Sequence, residues 1–172
     1  MTVAATLQKR NQAFAAQFAE PPHAIPKLKA LVVTCADPRV DPAHVLGLEL
    51  GEAAVIRNVA GRITPATFQA VAMMAAVAAQ YGVSGGFELI VLQHTDCGIR
   101  RLAAYDDLMA SYFGVPVEEL PAKHVTDPCR ATATDVAALR ANPALPSDLV
   151  ISGLVYDVET GRVSSPDMGE PA

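Results

Sequence analysis

Four short runs of apolar, β-branched residues, separated by segments carrying helix-start signals, most constrain how this chain can fold. The runs are Ala30–Thr34, Ala53–Asn58, Phe87–Gln93 and Asp148–Leu154. Each is shorter than an ordinary helix and long enough for a strand. Between them stand Asp41-Pro42, Thr64-Pro65 and Asp127-Pro128. Every such pair sets a capping side chain before a proline at the first helical position. Strands alternating with helices predict an α/β fold, a mostly parallel central sheet flanked by helices.

The remaining segments fill in this frame. Val3–Ala19 predicts a helix with Leu7, Phe14 and Phe18 on one face, ended by Pro21-Pro22. Thr64-Pro65 opens a long helix through Met73 and Met74 to Tyr81, with both methionines read as core. Ile99–Ser111 reads as helical, Pro116–Leu120 as a helical turn, and Asp127-Pro128 as the start of a helix to Arg140. Tyr156–Val163 predicts a hairpin turning at Glu159-Thr160-Gly161.

A length of 172 residues fits a single domain, 1–172, and the 51% apolar content fits a well-buried core. A net charge of −5 with no basic run excludes a nucleic-acid role on electrostatic grounds. The longest apolar stretch, Val71–Ala79, is too short to span a bilayer. Met1–Glu20 lacks the pattern of a signal peptide, so a cytoplasmic location is expected, where cysteines bind metal or stay reduced.

Cys35 directly follows the first run, and His94 directly follows the third, with Cys97 three residues on. Ligands of parallel sheets bind at the carboxyl ends of the strands, so these residues share one rim. Two thiolates and one imidazole suit Zn²⁺, and three protein ligands leave a fourth position for chemistry. Amides near Cys97-Gly98 favour a thiolate. Beside the first ligand, Arg39 holds Asp37 ionised and able only to accept hydrogen bonds. Such a carboxylate orients a zinc-bound hydroxide, or swings in as a conditional fourth ligand that closes the site. The other candidates have blander readings. Cys129 reads as a buried helix residue, His23, His44 and His124 as surface or packing residues, and Asp96 as a buttress of the turn.

Cys35-x-Asp37-x-Arg39 followed by His94-x-x-Cys97 resembles the β-class carbonic anhydrases. Arg57-Asn58 resembles that family's Arg-Asn segment, and Gly153–Gly161 its C-terminal strand and hairpin. The resemblance implies one Zn²⁺ per chain on Cys35, His94 and Cys97, with Asp37 and Arg39 as the catalytic dyad. It implies a final antiparallel strand, and substrate contacts at Ala60, Gly61 and Gly98. It also implies a homodimer or tetramer in which helix 3–19 packs on a partner subunit. One departure is clear. The family often continues Arg-Asn with Ala-Gly-Gly, whereas Val59-Ala60-Gly61-Arg62 stands here. Trp is absent, so the Trp-containing bicarbonate-sensing pocket of some bacterial members is expected to be missing.

The activity this implies is reversible hydration of carbon dioxide to bicarbonate and a proton, by attack of zinc-bound hydroxide. A neutral small substrate suits an acidic chain. Two alternatives stay open. Carbonyl sulfide and carbon disulfide hydrolases resemble the family and share its ligand pattern, and a zinc-stabilised binding protein without catalysis is a third possibility.

Overall fold

The computed structural model describes residues 2–102 and 104–166. Its strands are β1 (Ala30–Cys35), β2 (Ala53–Asn58), β3 (Glu88–His94), β4 (Val150–Tyr156) and β5 (Val163–Ser164). Its helices are α1 (Val3–Ala15), α2 (Pro42–Val45), α3 (Pro65–Gln80), α4 (Asp106–Phe113) and α5 (Pro128–Arg140). The sheet order is β2-β1-β3-β4-β5. All pairs are parallel except β4 with β5. The predicted mixed sheet with one final antiparallel pair is therefore present.

Alternation along the strands sorts the core onto two faces. Leu31, Val33, Leu89, Val91 and Ile151 join Val71 of α3 and Val136 and Leu139 of α5 on one face. Val32 and Leu92 point the other way, against Val40, Val45 and Leu46. Side chains one residue apart on a strand take opposite faces, and β1 is buried along its whole length.

The three cap-and-proline signals open helices as the sequence predicts. Asp41 accepts from the Ala43 amide, and Asp127 from the Cys129 and Arg130 amides. Thr64 forms a reciprocal box with Thr67. Elsewhere the structure differs. α1 ends at Ala15, not Ala19, because the chain already turns at Ala16–Gln17, ahead of the prolines. The helix expected over Ile99–Ser111 is split into a 3-10 turn, Gly98–Leu102, and α4. Asp106 and Asp107 mark the fresh start, since carboxylates favour the first turn of a helix. Cys129 is exposed, not buried, because it sits in the first turn of α5 facing outward. Met73 is 64% exposed and only Met74 reaches the core. Among the described residues, no helix is long and apolar enough to cross a membrane.

The strand order reverses direction beside β1. The chain leaves β1 to build β2 on one side and β3 on the other. A crevice opens at the carboxyl ends where such a reversal occurs. Cys35 and His94 are the last residues of β1 and β3, on the two strands that flank it.

Candidate metal centre

Cys35, His94 and Cys97 come together as a buried cluster whose ligand atoms all lie within 4.8 Å of one another. The two sulfurs are 3.9 Å apart. Tetrahedral zinc with Zn–S bonds of ~2.3 Å separates two thiolates by ~3.8 Å. The pair is thus already spaced for that ion.

His94 completes the set. Its Nδ1 lies 2.8 Å from the Thr95 carbonyl oxygen. A carbonyl only accepts, so Nδ1 donates to it and Nε2 is the nitrogen left to bind a metal. Nε2 is buried and has no hydrogen-bond partner among the described residues. An unpaired buried imidazole nitrogen is costly unless something binds it. Facing two sulfurs, it fits a zinc ion. The Thr95 carbonyl is the orienting acceptor, a backbone group that composition and spacing do not reveal.

The two thiols share their protons unequally. Cys35 is held well below the usual thiol range, first by hydrogen bonding from Cys97 and then by the Asp37 amide, against the effect of burial. Cys97 is pushed up by the same Cys35 contact and by burial.

Asp37 and Arg39 form a fork beside this cluster. Arg39 donates from Nε to Asp37 Oδ1 at 3.0 Å and from Nη2 to Oδ2 at 2.7 Å. The Arg39 amide also donates to Oδ1, at 2.9 Å. These contacts, led by the guanidinium, lower the Asp37 carboxyl to about 2. With both its oxygens on Arg39, Asp37 stands outside the cluster that could hold a metal. Arg39 also donates to Asp96, from Nη1 to the carboxylate and from Nη2 to the carbonyl, both at 3.0 Å. The Asp96 backbone is left-handed, with φ 50°. One arginine therefore ties the loop after β1 to the turn that carries Cys97.

Residue types alone left other supports unassigned. Arg57, at the end of β2 and in register with Thr34, donates to the carbonyls of Cys35 (3.1 Å) and Asp37 (2.7 Å) and to the Asp41 carboxylate (3.2 Å). Its signal was an arginine ending an otherwise apolar strand. Gln93, fully buried, donates to the carbonyls of Ala60 (3.0 Å) and Gly61 (2.9 Å). Beneath them Arg62 and Asp135 form a buried two-pronged pair at 2.7 and 2.9 Å. The Arg62 side chain also donates to the carbonyls of Ala122 and Lys123.

Of the residues expected to face substrate, Ala60 is 1% exposed and packs in the same apolar cluster as both cysteines, with Met109 and Phe113. Gly61 lies against the Cys35 backbone. Gly98 is exposed, at the start of the 3-10 turn. His23 and His44 lie on the surface, and His124 is partly buried away from the cluster. An apolar hollow of about 500 Å³, lined by residues such as Ala30, Val71 and Phe87, opens at the opposite ends of the strands and contains none of these groups.

Comparison with known proteins decides the family. The profile described as carbonic anhydrase matches residues 30–115. A crystal structure of carbonic anhydrase from Streptococcus mutans superposes with a TM-score of 0.74 at 34% identity, covering 96% of this chain and 98% of that one. The chain belongs to the β-class carbonic anhydrase family. Within that family its relatives carry more than one activity. It is 28% identical to β-carbonic anhydrase 1 of Mycobacterium tuberculosis, over 95% of this chain and 98% of the relative. It is also 29% identical to a carbon disulfide hydrolase of Acidianus sp., over 79% of this chain and 76% of that protein. The β-class fold is thus common ground, and the substrate is a separate question.

Proposed function

We propose that this protein catalyses the reversible hydration of carbon dioxide, CO₂ + H₂O giving HCO₃⁻ + H⁺. The observation that carries this reading is the Asp37–Arg39 fork beside a three-ligand cluster. A structural zinc site has four protein ligands, and here the nearest carboxylate is engaged elsewhere. In this reading Cys35, His94 and Cys97 hold the ion, and a zinc ion so held supplies a water of pKa near ~7 as nucleophile.

The protein's own groups do the rest. Asp37, kept ionised by Arg39, would accept a hydrogen bond from the attacking hydroxide and so turn an oxygen lone pair toward the substrate carbon. Arg39 keeps both oxygens of Asp37 in place and fixes them relative to Asp96. Ala60, Met109 and Phe113 pack in one apolar cluster with Cys35 and Cys97, surroundings that suit an uncharged, weakly hydrated molecule. Rotation of Asp37 away from Arg39 and onto the ion would close the site.

Hydrolysis of carbon disulfide or carbonyl sulfide is the second reading, supported by the Acidianus relative. Stopped-flow measurement of CO₂ hydration, run beside sulfide release from COS and CS₂, separates the two. Hydration with little sulfide release supports the first. Sulfide release without hydration supports the second. No turnover of any of the three by zinc-loaded protein leaves a zinc-stabilised protein without this catalysis.

We also infer a homodimer or higher assembly. α1 buries none of its residues on its own chain, although Leu7 and Phe14 are exposed on it. α3 carries no charged residue from Pro65 to Gln80, yet Met73 and Val77 are exposed. The exposed apolar side chains of α1 and the uncharged, open α3 fit cover by a second copy. Sedimentation of the full chain and of a chain lacking residues 1–19 tests this. A monomeric full chain would refute it.

A further inference from the structure

We propose that Ala60 is a specificity-determining residue, whose methyl group narrows the space beside the Cys35–His94–Cys97 cluster so that CO₂ is accepted over its sulfur analogues. The proposal rests on the functional reading above and concerns the choice among its substrates.

Ala60 has φ 72° and ψ −6°. In this left-handed region a β-carbon is disfavoured and glycine is the ordinary occupant. This chain keeps a strained methyl there, and three side chains, Gln93, Tyr112 and Asn58, hold the backbone around it. Gln93 donates to the carbonyl of Ala60 itself, at 3.0 Å, and to that of Gly61. The Tyr112 hydroxyl donates to the Val59 carbonyl at 3.3 Å. Asn58 Nδ2 donates to the Arg62 carbonyl at 2.8 Å. The Arg62 guanidinium is in turn locked on Asp135. Strained backbone that its surroundings over-determine collects at functional sites.

The methyl is not spent on the main core. Ala60 belongs to the cluster that contains Cys35 and Cys97, not to the clusters packed on the two faces of the sheet. It therefore packs in the same buried apolar cluster as two of the three candidate ligands. CO₂, COS and CS₂ are linear and differ chiefly in the girth and length of their ends, so one methyl in the wall discriminates among them. A single carbon in an apolar pocket changes selectivity by roughly 10–200-fold.

The test is Ala60→Gly, zinc-loaded and full length. The lost methyl packing and the released backbone strain oppose each other, so the variant keeps close to the wild-type melting temperature. Calorimetric titration with cyanate and thiocyanate probes the pocket without turnover, because these anions have the shapes of CO₂ and COS. The thiocyanate-to-cyanate affinity ratio is expected to rise at least about fivefold in the variant. Sulfide release from COS relative to CO₂ hydration should rise in parallel. An unchanged anion ratio overturns the proposal, as does failure of both anions to bind either protein. Wild-type protein inert toward all three substrates would remove the proposed function. A shifted anion ratio in that same protein would still uphold Ala60 as the pocket wall.

Discussion

A side chain on Gly61 would place its β-carbon 2.6 Å from the backbone nitrogen of Cys35. The neighbouring atom belongs to backbone and cannot swing away. Gly61 also has φ 62°, which disfavours any β-carbon. Gly61→Ala must therefore push the turn off β1 and move the first ligand. We expect a loss of about 2–4 kcal/mol by urea unfolding, and zinc content below one per chain by elemental analysis. Wild-type values for both would show that the turn yields without disturbing Cys35.

Asp37→Ala removes the acceptor and leaves the three ligands untouched. Turnover should fall by about 100-fold or more while zinc stays bound. Arg39→Ala should cost less, since the carboxylate survives but loses its anchor. If both variants hydrate CO₂ at the wild-type rate, the dyad has no catalytic role.

The Asp37 fork also sets a pH signature. Its folded carboxyl lies at about 2, against an unfolded value of ~3.9. A depressed carboxyl contributes stability that is present above the unfolded value and lost as pH falls through the folded one. The stability difference between wild type and Asp37→Asn, measured by urea unfolding of metal-free protein, should be flat above pH ~4 and close between ~4 and ~2. A difference that persists unchanged at pH 2 would mean the fork does not favour the ionised form.

Proton release reports on the two sulfurs. Cys35 is the acidic member of the pair and Cys97 the protonated one. Zinc binding to metal-free protein at pH 7 should therefore expel about one proton per ion. Calorimetry in buffers of different ionisation enthalpy counts it. Two protons would make Cys35 a thiol before binding.

The buried Arg62–Asp135 pair sustains the turn from below. Arg62→Met leaves Asp135 charged and unpaired in the interior, a cost of about 3–5 kcal/mol. Arg62→Met with Asp135→Leu removes both charges and should recover much of that loss in urea unfolding. No recovery would locate the cost in the carbonyls of residues 122 and 123, which Arg62 also serves.

The strands and the meeting of Cys35, His94 and Cys97 were legible because their signals are local. A β-branched run reads as a strand wherever it lies, and a ligand at a strand end inherits its position from the sheet. Asp41, Thr64 and Asp127 were legible because a cap needs only its own first turn. What stayed hidden depends on partners distant in sequence. Gln93 reaches back to Ala60 and Gly61, and Arg62 reaches forward to Asp135, with no shared pattern to announce either. The break between residue 102 and α4 was missed because Ile99–Ser111 is apolar enough to pass for one helix. Cys129 misled for another reason: a cysteine is usually buried, but the first turn of α5 points it at water.

Cys35 and Cys97 lie 62 residues apart in the chain. An ion gripped by both acts as a cross-link around that loop, and closure of a loop this long is worth about 4 kcal/mol in the chain-entropy estimate used for disulfides. β1 leaves the ribosome well before residue 97 exists, so the full grip forms only after β1 and β3 can pair. The metal then locks a seam already closed and does not start its closing. On the zinc reading proposed above, a shortage of the ion would leave not merely an idle protein but a looser one, lacking the tie between the ends of β1 and β3.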